Sequence, residues 1–147
     1  MRPKGIYSVL GGAASSYKFV KDFPESAKYI MDCNHWFNPK SAKAQDLKKK
    51  VEEKGQFFTY ELYLNYSAVL LVADALERAA SPDRSKVITA LESSTFVSPI
   101  MPYGPTKFVN GQNEGAAPVN TQVLENDIKA ILPPEFAIAK AVFPMPA

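Results

Sequence analysis

The stretch Tyr66-Ser-Ala-Val-Leu-Leu-Val-Ala-Asp-Ala-Leu-Glu-Arg-Ala-Ala-Ser-Pro-Asp-Arg84 reads as a long buried helix, a capped turn and the start of a second helix. The periodicity begins upstream. Leu62, Tyr66, Val69, Ala73, Leu76 and Ala80 recur at spacings of four and three, which predicts one apolar stripe on a helix over residues 59–80. Asp74 and Arg78 form a favourable i, i+4 pair on it. Ser81-Pro82-Asp83 then reads as a sharp helix start, with Ser81 as cap, Pro82 at the first helical position and Asp83 at the positive end of the dipole. Val87, Ile88 and Leu91 supply the inner face of that second helix.

Toward the N-terminus, residues 5–10 read as a short buried strand, broken by Gly11-Gly12. Ser15 or Ser16 caps a helix carrying Tyr17, Phe19, Val20 and Phe23, which ends at Pro24. Residues 29–33 form a second strand, so the opening is the strand, glycine turn, helix, strand pattern of a parallel sheet. An irregular connection over residues 34–40 contains Trp36 and Pro39. Ser41 then caps a helix through Lys54 with Ala44, Leu47 and Val51 on one face, and Gly55 stops it. Beyond Ser94 the texture changes to frequent Pro, Gly and Asn. Asn110-Gly111 predicts a tight turn, residues 121–125 and 128–132 a hairpin, and the proline-rich tail from Pro133 an extended surface segment.

Composition narrows the class. The chain has 147 residues, 46% hydrophobic and 22% charged, which suits one globular domain. A formal net charge of +2 is too small for a nucleic-acid footprint. The Lys48-Lys49-Lys50 run sits among Lys43, Glu52, Glu53 and Lys54, the mixed signs of a solvated helix face. One cysteine, Cys33, excludes an internal disulfide, and with one histidine, His35, gives no zinc set. No cofactor or metal is expected. No apolar run is long enough to span a membrane, and no signal peptide opens the chain.

Three segments, in order, carry a family resemblance: residues 66–84; Tyr103-Gly-Pro-Thr-Lys-Phe-Val-Asn-Gly-Gln-Asn113; and Thr121-Gln-Val-Leu followed by Ile131-Leu-Pro-Pro134. Together they resemble the C-terminal portion of type I periplasmic substrate-binding proteins of the branched-chain amino-acid ABC-transporter group. The resemblance implies an α/β fold, type I periplasmic-binding-protein-like, with a partial parallel sheet, flanking helices and a C-terminal β-hairpin. Complete members are more than twice this length and bind ligand between two lobes joined by hinge crossings. The implied division here is residues 1–33 in the second lobe, 34–38 a crossing, 39–94 helices of the first lobe, 95–101 a crossing, and 102–147 hairpins and tail. A parallel sheet wants helices on both faces. Two parallel strands with several amphipathic helices therefore call for a missing N-terminal half, for a homodimer exchanging elements, or for strands not evident from the pattern.

The Gly11-Gly12-Ala13-Ala14-Ser15-Ser16 turn is the best ligand-contact candidate. Free backbone N–H groups and small side chains at the carboxyl end of a strand suit a polar ligand, although an ordinary βα turn with a serine cap has the same residues. No Gly-Lys-Ser/Thr follows, so it is not a P-loop. The resemblance implies that the loop faces the cleft. Amino-acid-binding relatives place an acidic residue in it, whereas positions 11–18 hold no carboxylate here. Either the ligand is a carboxylic acid without the amine, aromatic or not, or Glu61 or an acid in the missing half supplies the charge. Tyr60 and Glu61, at the start of the long helix, are further candidates; with Asn65 they equally suit a solvated face. Trp36 beside a crossing can stack on ligand or fill core.

The function implied by the resemblance is an extracytoplasmic, periplasmic solute receptor with no chemistry of its own, which closes on a small-molecule ligand and docks on a membrane permease. A sensory or receptor domain of the same fold is the alternative. An enzyme would need a nucleophile–base set or metal ligands that this composition does not supply.

Overall fold

The computed structural model describes residues 3–9 and 13–146. The chain runs β1 (Tyr7–Val9), a 3-10 turn (Ala13–Ser15), α1 (Tyr17–Asp22), α2 (Pro24–Ala27), β2 (Met31–Asn34), α3 (Ala42–Glu52), α4 (Tyr60–Ala79), α5 (Arg84–Glu92), β3 (Phe108–Val109), β4 (Gln112–Asn113), β5 (Val119–Leu124) and β6 (Asp127–Leu132). One sheet has the order β1-β2-β5-β6. β1 lies parallel to β2, as the strand–helix–strand opening requires, and β5 and β6 extend the sheet antiparallel. The predicted hairpin therefore joins the parallel pair in one mixed sheet.

Local chemistry sets the boundaries. Ser16 caps α1 by accepting from the Phe19 amide, and Pro24 opens α2 at the first helical position. Ser41 caps α3 through the Ala44 amide at 3.2 Å. Gly55, at φ +71°, closes that helix's C-terminal turn. Asn110 (φ 50°) and Gly111 (φ 80°) make the tight turn between β3 and β4. At α5 the cap differs from expectation: Asp83, not Ser81, accepts from the Lys86 amide at 3.1 Å, and Ser81 accepts from the Asp83 amide instead. A carboxylate reaching the third amide satisfies both the free donor and the helix dipole, so Pro82 falls ahead of the cap. On α3 the lysine run is paired along the helix, Lys48 with Glu52, Lys49 with Glu53 and Lys50 with Asp46, as a solvated face should be.

The core is aromatic where the chain passes from the sheet to the helices. Trp36 and Tyr63 are 1% and 0% exposed and meet edge-to-face at 5.9 Å. Phe37 and Phe58 pack at 5.0 Å beside them, and the Tyr63 hydroxyl donates to the His35 carbonyl. Trp36 thus fills core. Segments 34–38 and 95–101 run side by side, since the Asn38 amide donates to the Ile100 carbonyl at 2.7 Å and the Ser41 hydroxyl to the Pro99 carbonyl.

Two burial expectations are corrected. β1 is an edge strand, not a buried one: Ile6 is 41% and Tyr7 52% exposed. The predicted stripe of α4 is also uncovered. Tyr66, Val69, Ala73, Leu76 and Ala80 of the stripe are exposed and Leu62 is half-buried, whereas the buried residues of the helix, Tyr63 and Ala75, lie off the stripe. The helix docks by its Tyr63 side because that side meets the aromatic cluster. The accessible surface, 8972 Å², is roughly 20% above the ~7,500 Å² that a compact monomer of this mass exposes.

Burial lifts three phenols, Tyr17, Tyr63 and Tyr103, above the usual tyrosine range; Asp127 and Glu52 add to the shift at Tyr17, and neighbouring Tyr17 at Tyr63. A phenol raised in the folded state contributes stability that is intact below its unfolded value and lost as pH climbs toward the folded one. Circular dichroism against pH should show the fold holding to about pH 10 and unfolding above it. Tyr63→Phe should move that midpoint upward if the protein stays folded.

Candidate functional site

Strand register explains how a polar site forms under the 13–16 corner. In β2 side chains alternate, so Asp32 and Asn34 point to one face while Met31 and Cys33 point to the other. On the Asp32 face, the pairing Ser8↔Asp32↔Thr121 draws one row across β1, β2 and β5, and Asn34↔Val119 begins the next. In the opposite direction that face becomes apolar: Val123 pairs with Ile128, and Val20 and Ala27 join them in the core. Polarity therefore rises along the face toward the carboxyl ends of the two parallel strands, where open α/β sheets place their binding crevices.

The polar end is buried. Exposure is 0% for Asp32, 1% for Thr121, 5% for Asn34 and 2% for Ser15. The Ser15 hydroxyl donates to the Asp32 carboxylate, which also accepts from the Cys33 amide at 2.8 Å. No Lys, Arg or His among the described residues pairs with Asp32. Two polar atoms at this end have no partner among the described residues, Asn34 Nδ2 and Thr121 Oγ1. Asn34 uses only its oxygen, which accepts from the His35 amide.

The candidate residues from the sequence fall into three groups. Gly11 and Gly12 lie outside the described residues. Ala13 is exposed at the start of the 3-10 turn, whereas Ala14 and Ser15 are buried behind it. Ser15 thus supports the corner from within. Tyr60 and Glu61 occupy the first turn of α4. Burial pushes the Glu61 carboxyl up, and hydrogen bonds from Thr59, from its own backbone amide and from Tyr60 together outweigh it and hold the group below the ordinary value. That network belongs to the helix start, and none of its hydrogen bonds reaches the corner. An acid close to the corner comes instead from β2, as Asp32. Sequence reasoning passed over it because residues 29–33 read as an apolar strand. The signal available was a single carboxylate in that run, at the alternate position to Asn34.

α1 has six residues and follows a 3-10 turn, so it offers little helix dipole to an anion. A groove of about 440 Å³ runs between α1, α3 and the β5–β6 turn, lined in part by Tyr17, Lys21, Lys48, Glu52, Phe57 and Asp127 and by no residue of the 13–16 corner. Its lysines lie over rings, Lys48 over Tyr17 at 5.3 Å and Lys21 over Phe57 at 5.5 Å. Among the described residues no group of three or more His, Cys, Asp or Glu could hold a metal, and no helix is long and apolar enough to cross a membrane.

A sheet with polar side chains gathered toward the carboxyl ends of its parallel strands suits the framework of a ligand-binding α/β domain. A family model described as periplasmic binding protein matches residues 10–127, and the chain belongs to that family. Among solved structures, the leucine binding protein LivK from Thermotoga maritima MSB8 superposes with a TM-score of 0.63 at 19% identity, over 84% of this chain and 36% of that one. The fold is that of a type I periplasmic binding protein, and this chain spans about a third of that relative's length (36%). No curated protein is matched by the sequence.

Thr121→Val replaces a buried hydroxyl that has no partner among the described residues with a methyl of the same shape. Urea denaturation should show stability unchanged or raised by up to about 1 kcal/mol. A loss greater than that would mean that the hydroxyl is hydrogen-bonded.

Proposed function

We propose that this chain is the C-terminal portion of an extracytoplasmic solute-binding component of an ABC importer, which binds a small amino-acid-like or carboxylic acid between two lobes in the periplasm and delivers it to a membrane permease. The observation that carries the reading is the polar, buried end of the sheet face beneath the 13–16 corner, in a member of the periplasmic binding protein family. The side-by-side path of segments 34–38 and 95–101 supports assigning them as crossings between lobes, with residues 39–94 on one side and the sheet on the other. Ligand would bridge the two and favour the closed arrangement by the contacts it makes only there.

The uncovered stripe of α4, together with exposed Ile88 on α5, supports a further part of the same polypeptide as the cover. Residues 1–147 expressed alone should bind the dye ANS strongly, and the protein in its full encoded length should not. Equal dye binding by both would remove that reading and favour an interface with another partner.

The function itself is tested by calorimetric titration of the full-length protein with leucine, valine, phenylalanine, benzoate and 3-phenylpropanoate. Saturable binding of at least one is expected. Heats indistinguishable from dilution for all of them would overturn the proposal.

A further inference from the structure

A groove of about 520 Å³ lies between α2, the β5–β6 turn and residues 139–142 of the tail. It is remote from the 13–16 corner in two respects. Lys129 of its lining pairs with Gln122, one residue along from the Thr121 that pairs with Asp32, so it projects from the opposite face of the sheet. The turn beyond Leu124 adjoins the amino end of β2, whereas the corner stands over the carboxyl end.

Left-handed backbone gathers at this groove. Tyr29 (φ 68°), Glu125 (φ 53°) and Asn126 (φ 60°) all line it. The two-residue turn between β5 and β6 favours positive φ at both positions, which suits Asn126 but not Glu125, and an aromatic residue such as Tyr29 suits that region least. Side chains persist there only where their surroundings over-determine them, and they cluster at ligand clamps. Here the holding group is Gln122, which is fully buried. Its Nε2 donates to the Tyr29 carbonyl at 3.0 Å and to the Val142 carbonyl at 2.9 Å, and its Oε1 accepts from the Val142 amide at 2.8 Å. The Tyr29 amide donates to the Val123 carbonyl at 2.9 Å. One side chain thus fixes two lining segments, the α2–β2 connection and the tail, before anything binds.

The lining carries more cations than anions. Lys28, Lys129 and Lys140 face Glu25 and Glu125, with no arginine among the described residues. Lys28 lies over the Tyr29 ring at 5.6 Å. Among the described residues Lys28 and Lys140 pair with no carboxylate. Lys129 pairs with Glu125, whose side chain is 81% exposed, so water weakens that pair and a stronger anion can displace it. The lysines come from three segments: the C-cap of α2, β6 and the tail. Arginine's planar fork suits a planar carboxylate, whereas lysines act as point charges and suit phosphate. A phosphate monoester brings three acceptor oxygens and a charge of about −1.5 to −2 at pH 7. We propose that this groove is a second binding site, for a phosphate monoester with a small apolar body: the phosphate sits among Lys28, Lys129 and Lys140, and the body lies on Tyr29, Leu124 and Ala139. The inference does not rest on the solute-binding reading, and its failure would leave that reading untouched.

Calorimetric titration of the full-length protein compares phenyl phosphate with its two halves, phenol and inorganic phosphate. Phenyl phosphate should bind saturably and at least about tenfold more tightly than either half, since only it meets both the lysines and the apolar lining. Equal affinity for inorganic phosphate would mean an adventitious ion only and overturn the inference. Heats no larger than dilution for phenyl phosphate would do the same, and neither result depends on a variant. The double variant Lys28→Gln/Lys140→Gln changes two exposed side chains. It should leave the thermal midpoint in place and weaken phenyl phosphate about tenfold or more. Tyr29→Gly removes the ring where glycine adopts positive φ freely, so affinity should fall while the midpoint holds or rises. Unchanged affinity in either variant would place the ligand elsewhere and overturn the inference. Vesicles containing phosphatidic acid distinguish the source of the monoester. Co-sedimentation that phenyl phosphate displaces assigns it to a lipid headgroup, and binding of phenyl phosphate without co-sedimentation assigns it to a small solute.

Discussion

Strand β2 carries the structure because its backbone is hydrogen-bonded along both edges. Three of its residues, Met31 to Cys33, pair in parallel with β1 on one side, and all four pair antiparallel with β5 on the other. A strand held on both edges cannot slip by one residue without turning every side chain to the opposite face. That fixes Asp32 and Asn34 under the corner and delivers the next residues, His35 to Phe37, into the aromatic cluster. The binding end of the sheet and the passage to the helices are therefore set by the same register.

The helices are held more lightly than the sheet. α4 enters the aromatic core through Tyr63 and lies against α5, where Arg78 pairs with Asp74 and donates to the Ala90 carbonyl. Of its apolar residues only Tyr63 and Ala75 are buried. Hydrophobic burial is the main favourable term in folding, and here much of that potential is unspent. A chain that spans about a third of a related fold's length (36%) is in keeping with this.

Much of the secondary structure was legible because it follows local chemistry. Ser41, Pro24, Gly55 and Asn110-Gly111 act within a few residues of themselves, and each marks a boundary where expected. The cap of α5 was misplaced by two residues because three polar or rigid residues in a row each offer a plausible start, and only geometry shows that Asp83 reaches the Lys86 amide. Long-range facts were not legible. The apolar periodicity of α4 identified a helix face but not what covers it. The position of β1 at an edge depends on pairing, which a single strand does not encode. The corner at Ala13–Ser15 stood out by composition, yet the acid beneath it, seventeen residues on, became visible only through the register of β2.

The tail closes the sheet's second face through one side chain. Gln122, fully buried, donates to the Tyr29 and Val142 carbonyls and accepts from the Val142 amide, so its amide group serves as a short stand-in for another strand. Three residues later the Met145 amide donates to the Lys4 carbonyl at 2.7 Å. Lys4 and Met145 therefore lie side by side. A short linker could join Lys4 to Met145 and the backbone be opened at the exposed Asn110–Gly111 turn, permuting the order of the strands without altering how they pair.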